Sequence, residues 1–507
     1  MIISQVYRSR KRKLENRLQK AVRYNPSRQP VLSGTNVRYE AADKTRAINA
    51  GGIGLIHQVA IQSGLVGAIN RHLQLLKMNF PYVESDHVLN IAYNAICGGT
   101  CLEDIELRRN DETYLEALGA QSIPDPTTAG DFCRRFDTKF KIGRLHDAID
   151  EARLQVWKRQ ADPFFDQAII EMDGHVLETT GSCKEGMDIS YNRKWGYHPL
   201  IVSLANTQEI LGISNRPANA TSQQHSVGLI ERAIALCRRA GFRRVLLRGD
   251  SKFAQVRHFD RWDKDGVVFQ FGYGEKKNVV EIVDNLPKTS WKRLQRLPKY
   301  QVKTRPRQRP RNVKAEVVRR REYENQILQY EEVAEFEYQP TGCEKPYRMI
   351  AVRKRLRVEK GQQWLFDKSS YLFYITNDWK SPISKIVFSC NRRGNQENLI
   401  EQLKNGVRAL HAPVNSLLSN WAYMVMTALA WNLKAWAAMW LSENGRWATK
   451  HREEKQQVLF MDFRTFTNYF IQIPTQILRR GRQVIYRLLN CNQWSPVFHR
   501  LAVQLHC

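Results

Sequence analysis

Acidic residues are in short supply in this 507-residue chain: 50 Asp and Glu stand against 79 Lys and Arg, a formal net charge of +29. That imbalance disfavours acidic partners and makes nucleic acid the first candidate. Cysteine is sparse as well. Cys97, Cys101, Cys133, Cys183, Cys237, Cys343, Cys390, Cys491 and Cys507 are odd in number, and no CxxC is matched by a second CxxC or an HxxxH. Neither a disulfide framework nor a zinc module is expected, and a reducing compartment fits. Cys97 and Cys101 flank Gly-Gly, which reads as a helix end. Long apolar runs are missing too. The most apolar stretch is Trp421–Trp431, followed by Asn432 and Lys434. A bilayer span needs about 20 apolar residues, so the stretch reads as a buried helix. The basic start, Arg8–Lys13, is not followed by an apolar run, so no signal peptide is expected. No basic amphipathic helix with a clear apolar stripe suggests a membrane-surface protein.

What is present has an order. Residues 1–48 are polar and basic: a flexible arm or weak helix, either contacting phosphates or simply solvated. Residues 49–158 carry helical apolar spacing with glycine stops, and Asp125-Pro126 marks a turn or helix start that Thr127 or Thr128 can cap. Several short helices with basic edges suit a helical DNA-binding region. From residue 159 to 274 the pattern changes to three strands, a helix, a strand, a helix and a strand. That implies an α/β core with a central mixed sheet. Residues 275–380 read as a β-rich insertion with a basic face. Its segment 288–322 holds fourteen Lys or Arg against two Glu, which suits phosphate-backbone contact. The last third reads as helical: SKIVFSCNRRGNQENLIEQLKNGV as one helix, NSLLSNWAYMVMTALAWNLKAWAAMWL as a second, and TQILRRGRQVIYRLL as a basic third. Residues 381–445 are grouped with the core and 446–507 form a basic helical end.

Two strands end in carboxylates, Asp173 in MDGH and Asp250 in RGDS. Open α/β sheets place their sites at strand carboxyl ends, and paired Asp oxygens suit a hard divalent cation. An Asp beside Gly is also an ordinary turn residue. In CNRRGNQENLIEQLK, Arg393, Glu397 and Lys404 fall on one helical face at about 100° per residue. A carboxylate between two cations suits a metal site that handles phosphodiesters, and equally a surface i,i+4 ion pair. Glu401, one turn on, is a rival ligand, and Asn398 joins Arg393 and Lys404 as a phosphate-binding candidate. Arg248 either supports the site or forms a salt bridge in the sheet. His175 reads as structural. Trp291 and Trp364 read as packing residues rather than platforms for an extruded base.

These segments together resemble the bacterial DDE transposases of insertion sequences, and within them the insertion-sequence 1380 family, related to the insertion-sequence 4 group. The matching pieces are MDGH, YNRKWGYHPL, VLLRGDSKF, FYITN, NRRGNQENLIEQLK and IPTQILRRGRQ, in that order along most of the chain. The resemblance implies an RNase H-like catalytic core with a β-strand insertion between the second and third acids. The gap from Asp250 to Glu397 is indeed nearly twice that from Asp173 to Asp250. It implies Asp173, Asp250 and Glu397 as catalytic acids holding two Mg²⁺ ions about 4 Å apart, with Mn²⁺ able to substitute. It implies metal-dependent cleavage and strand transfer of double-stranded DNA at terminal inverted repeats, a homodimer in the active complex, and the bacterial cytoplasm, with the nucleoid, as the site of action. In the superfamily signature of Tyr, Arg, Glu and Lys, the Tyr position is Cys390 here. The competing readings are a DNA-binding protein without catalysis and another RNase H-like nuclease.

Overall fold

The computed structural model describes residues 2–22, 38–39, 45–77, 81–296, 311–360, 363–481 and 483–506. Much of the basic stretch 288–322, and part of the arm 1–48, therefore lies outside the described residues. The chain divides into two compact units. One comprises residues 160–401 and 415–417; the other comprises residues 1–159, 402–414 and 418–507.

The first unit is built on one sheet and a small satellite. Its strands in chain order are β1 (Ala168–Gly174), β2 (Leu177–Glu178), β3 (Asp188–Ile189), β4 (Trp195–Tyr197), β5 (Leu200–Leu204), β6 (Glu209–Ser214), β7 (Val245–Gly249), β8 (Val267–Tyr273), β9 (Lys292–Arg293), β10 (Glu324–Tyr338), β11 (Tyr347–Lys360) and β12 (Gln363–Thr376). Nine of them form a single sheet in the order β9-β10-β11-β12-β8-β7-β1-β5-β6, and β2-β4-β3 form the satellite. The central five follow from the sequence. β5 and β6 are antiparallel neighbours joined by a tight turn at Thr207 and Gln208, where Gln208 has φ 58°. β7 and β8 are separated from their parallel partners by helical crossovers, as parallel pairing requires. The first crossover is the helix Ser226–Ala240, stopped by Gly241 at φ 97°. In the second, the α-helix runs only over Phe259–Lys264, after two short 3₁₀ turns. The residues of β5, β6 and β7 are all buried, as expected of strands covered on both faces.

The long strands β10–β12 do not form a separate layer. β12 joins the central sheet through four register pairs, Phe373↔Tyr273 to Thr376↔Gln270. The insertion is thus an extension of the central sheet's own hydrogen-bonded ladder.

Parallel register sets two charged residues side by side: Glu171 on β1 pairs with Arg248 on β7. Both side chains are almost fully buried, and Arg248 Nη2 lies 2.7 Å from Glu171 Oε1. Arg248 Nη1 also donates to the Ser389 carbonyl at 2.8 Å, which pins the helix Ile383–Asn391 to the sheet. Burial pushes the Glu171 carboxyl up, and Arg248 opposes the shift.

The second unit is mostly helical. It contains helices Ile2–Val22, Ile53–Gln62, Leu65–His72, Glu84–Ile96, Pro126–Arg134, Lys139–Trp157 and most of Leu417–Trp440, together with shorter ones. Asp125, rather than Thr127 or Thr128, caps Pro126–Arg134: its side chain accepts from the Thr128 N–H, and proline sits in the first turn. Helix Leu417–Trp440 is buried almost throughout, and the Lys434 ammonium donates to the Leu459 carbonyl at 2.8 Å over the Trp431 ring. No single described helix is long and apolar enough to cross a membrane.

Two helix expectations are corrected. TQILRRGRQVIYRLL is not a helix but a hairpin, Thr475–Arg480 with Gln483–Leu488, paired to Ala47–Ile48. Gly481, at φ 60°, makes the reversal, and Ile477, Val484, Ile485 and Tyr486 prefer extended backbone. SKIVFSCNRRGNQENLIEQLKNGV is not one helix either. Helix Ile383–Asn391 ends at Arg392, helix Gly394–Glu401 follows, and Gln402–Gly406 is a π turn. The backbone bonds at the break reach back three residues, Arg393 N–H to Cys390 and Gln396 N–H to Arg393, in place of the four of an α-helix. Residues 402–414 and 418–445 belong to the helical unit.

Two outcomes are expected. Arg248→Ala strands a buried carboxylate and should cost about 3–5 kcal/mol in urea unfolding, whereas Glu171→Leu with Arg248→Met should recover most of the loss. His87, stacked on Phe132 with centroids 4.4 Å apart, is held down to about 4, chiefly by burial. The unfolded chain binds that proton near 6.5, so the contribution is intact above pH 6.5 and is lost as pH falls toward 4. His87→Phe should flatten the stability profile across that window.

Candidate active site

The site starts from the register of β1 and β7. Two residues beyond the Glu171–Arg248 pair, each strand presents a carboxylate on the same side. Asp173 is the last residue but one of β1, and Asp250 immediately follows β7. Each is oriented by backbone: Asp173 Oδ1 accepts from the Gly174 N–H at 2.8 Å, and Asp250 Oδ1 from the Lys252 N–H at 2.9 Å.

Helix Gly394–Glu401 brings the third acid. It is anchored on β5 by the buried Gln396, which accepts from the Ser203 hydroxyl and donates to the Ile201 carbonyl at 3.5 Å. Ile201 is the residue opposite Asp173 across the β1–β5 ladder. Glu397 follows in the first turn of this helix, with its side chain 65% exposed.

All three carboxylates converge on one cation. Arg393 Nη1 lies 3.7 Å from Asp173 and 3.9 Å from Asp250, and Nη2 lies 3.6 Å from Glu397. The break in the helix is what places Arg393 there, at the head of the Glu397 helix instead of in the middle of a longer one. The Asp173 carboxyl is pushed up to about 6. Burial is the main cause, and the charges of Asp250 and Glu397 add to it, while the Gly174 N–H and Arg393 pull it down. A buried carboxylate crowded by two others is a place that favours positive charge. The donor set is all oxygen, which fits a hard divalent cation. As placed, the acids surround a guanidinium, and among the described residues no group of three acidic, His or Cys side chains closes to metal-holding distance.

A cleft of about 440 Å³ opens over Asp250, Arg393 and Glu397, walled by Tyr371, Tyr374 and Asn391. The Tyr374 hydroxyl donates to Asn391 Oδ1 at 3.2 Å, and burial pushes its phenol up to about 12. Behind β1, Gly174 allows a close approach. A Cβ there would lie 2.5 Å from His198 Nε2 and 3.3 Å from Arg216 Nη2. Arg216 is buried; it donates to the carbonyls of His198, Thr221, Ser222 and Gln224, while its Nη2 has no partner. Burial lowers it to about 10.

The sequence candidates therefore separate. Asp173, Asp250, Glu397 and Arg393 come together. Arg248 is the salt bridge in the sheet, closed off from any phosphate. Asn398 is exposed on the Glu397 helix. Glu401 is that helix's last residue, and Lys404 belongs to the π turn of the helical unit, so Arg393, Glu397 and Lys404 do not share a continuous α-helical face. Cys390 points into an apolar cluster with Val333, Ile350, Val352 and Ile386, and burial lifts its thiol to about 12. The His175 N–H donates to the Pro199 carbonyl at 3.0 Å. Trp291 lies under the Arg353 guanidinium at 3.7 Å, whereas Trp364 is 59% exposed beside Arg357. Gln396, Ser203, Arg216 and Tyr374 went unnoticed in the sequence; no local pattern marks them, since Gln396 and Ser203 meet only in the fold, and Arg216 and Tyr374 depend on how the following loop or helix turns back on them.

Comparison with known proteins gives one extensive match. A family model described as "Transposase DDE domain group 1" covers residues 30–506. Among solved structures, the cryo-EM structure of a piggyBac transposase synaptic complex with hairpin DNA matches at a TM-score of 0.37 and 11% identity, over 82% of this chain and 81% of that one. No curated protein matches.

Arg393→Gln removes the shared counter-charge and should lower the stability of metal-free protein by about 1–2 kcal/mol, the scale of several partly exposed ion pairs. Mg²⁺ should then raise the unfolding midpoint of the variant more than that of the wild type. Equal midpoints in EDTA would mean that Arg393 does not offset the three acids.

Proposed function

The chain belongs to the DDE-domain transposases of group 1, and from that premise we propose that it cleaves and joins DNA with Asp173, Asp250 and Glu397 at the ends of an insertion sequence. The observation that carries this reading is the convergence of three carboxylates from β1, β7 and the Gly394–Glu401 helix on a single cation. The β6-β5-β1-β7-β8 order, three antiparallel strands followed by two parallel ones, supports an RNase H-like core, and β10–β12 fit the insertion between the second and third acids. The finer assignment to the insertion-sequence 1380 family rests on the sequence segments alone.

In this mechanism Asp173, Asp250 and Glu397 would hold two Mg²⁺ ions, for which Mn²⁺ can substitute. Such ions activate water or a DNA 3′-hydroxyl and stabilise the leaving oxygen. The protein's part is positioning. The sheet register holds Asp173 beside Asp250, and Gln396 fixes the height of Glu397. Arg393 neutralises the acids before DNA is engaged and is placed to meet a phosphate oxygen once they are otherwise balanced. Asn398 is the further phosphate contact on this unit in this reading. The charge of +29 draws in double-stranded DNA carrying the terminal inverted repeats, as well as target DNA. Joining two ends to one target calls for a homodimer, and an insertion sequence places the reaction in the bacterial cytoplasm, at the nucleoid.

The test is a labelled duplex bearing the element's terminal repeats, incubated with Mg²⁺ or with EDTA. Metal-dependent cleavage at the repeat boundary is expected. Asp173→Ala, Asp250→Ala and Glu397→Ala should each lower it by about a thousand-fold or more while DNA binding survives. Cleavage that persists in Glu397→Ala would move the third ligand, with Glu401 first in line. Binding without cleavage under Mg²⁺ or Mn²⁺ would replace the enzyme with a DNA-binding protein.

A further inference from the structure

Between β1 and β5 the chain leaves the sheet to form the satellite β2-β4-β3, and the β3–β4 hairpin ends in an exposed cluster. Tyr191 is 79% exposed, Ile189 55% and Trp195 41%. Exposed aromatics on a loop usually imply adaptability, but this tip is braced. The Ser190 N–H donates to the Lys194 carbonyl at 2.8 Å, and the Ser190 hydroxyl accepts from the Lys194 N–H at 2.9 Å. The Arg193 N–H closes back on the Ser190 carbonyl at 2.9 Å, with Arg193 itself at φ 62°. Below the tip, the Tyr197 hydroxyl donates to the Glu185 carbonyl at 2.7 Å.

The tip is also tied to the site. Lys252 places its ammonium 5.0 Å from the centre of the Tyr191 ring, and the same residue's N–H orients Asp250. Tyr191 therefore stands one side chain away from the second carboxylate. Arg193, Lys194 and Lys252 surround the aromatics. Lys194 is ion-paired with Glu178 at 2.9 Å.

Aromatic faces next to cations suit nucleic acid: the cations take phosphates and the rings stack on bases. A ring can stack only on a base whose face is open, and in a duplex the faces are covered. We propose that the Ile189–Trp195 tip holds unpaired nucleotides of the DNA strand beside the scissile phosphate, with Tyr191 and Trp195 as stacking faces and Arg193 and Lys252 on the phosphates. This rests on the transposase reading and adds to it a strand-holding element on the catalytic unit. The rigidity of the turn has a use here, because a pre-ordered platform loses little freedom when a base settles on it.

The test compares two fluorescein-labelled probes of arbitrary sequence, a blunt duplex and the same duplex with a short single-stranded extension. Binding is read by anisotropy on the full chain at fixed salt. Wild type should prefer the tailed probe. Tyr191→Ala with Trp195→Ala should lose that preference, roughly ten-fold in tailed-probe affinity, and keep its blunt-duplex affinity. Tyr191→Phe alone should retain the preference, since the ring remains. Unchanged melting of the variants checks the fold. A wild type that binds both probes equally, or a double variant that still prefers the tail, overturns this inference and leaves the transposase reading standing. A wild type that binds neither probe overturns both.

Discussion

The buried pair of Glu171 and Arg248 is the constraint on which the site depends. It joins β1 to β7 at a fixed register and, through Ser389, fixes the helix that leads to Arg393. A slip of one residue in either strand would bury one carboxylate and leave a charge without a partner, so the register is strongly specified. The pair sits two residues before each aspartate, close enough to position both and too deep to meet DNA. What the site requires at the surface is thus determined one layer below it.

Above that layer the electrostatics follow from crowding. Three acids drawn to one point repel each other, and burial of Asp173 makes the repulsion costly. Arg393 relieves it in the protein as described, and a divalent cation would relieve it more completely. The same residue would therefore connect two conditions of the site, one balanced by protein and, in the proposed reaction, one balanced by metal with phosphate. This gives a physical reason for an arginine at the head of the Glu397 helix, where its guanidinium reaches all three acids. A helix running unbroken from Ile383 would have carried it to a different azimuth.

The sequence revealed the strands that end in Asp173 and Asp250, because apolar runs closed by an Asp next to Gly are local signals. It also revealed the long strands of the insertion and the buried helix around Trp431. Other features were hidden. The hairpin at 475–488 passed for a helix since its Arg and Leu positions fit a 3.6-residue period as well as a two-residue one, and Gly481 was the discriminating residue. The break at Arg392–Gly394 was hidden inside a segment with good helical spacing on both sides. Arg248 could be read two ways until its depth was known, and depth is a property of neighbours. Gln396 and Ser203 are set by contact with each other across the chain, Arg216 by the way the loop after it folds back on its side chain, and Cys390, at a position where a phenol was expected, turns out to face the core of the insertion.

The joining of the insertion to the central strands through one short ladder also has a geometric consequence. A sheet twists by roughly 20–25° from each strand to the next. From β1 through β7, β8, β12 and β11 to β10 there are five steps, which turns the outer strands on the order of 100° from the strands that carry Asp173 and Asp250. A straight rod laid along the strand ends at Asp173 cannot also lie along the far end of the extension. Were DNA to lie along one end of the sheet, the other end would face a different side of that double helix or a second helix held at an angle to it.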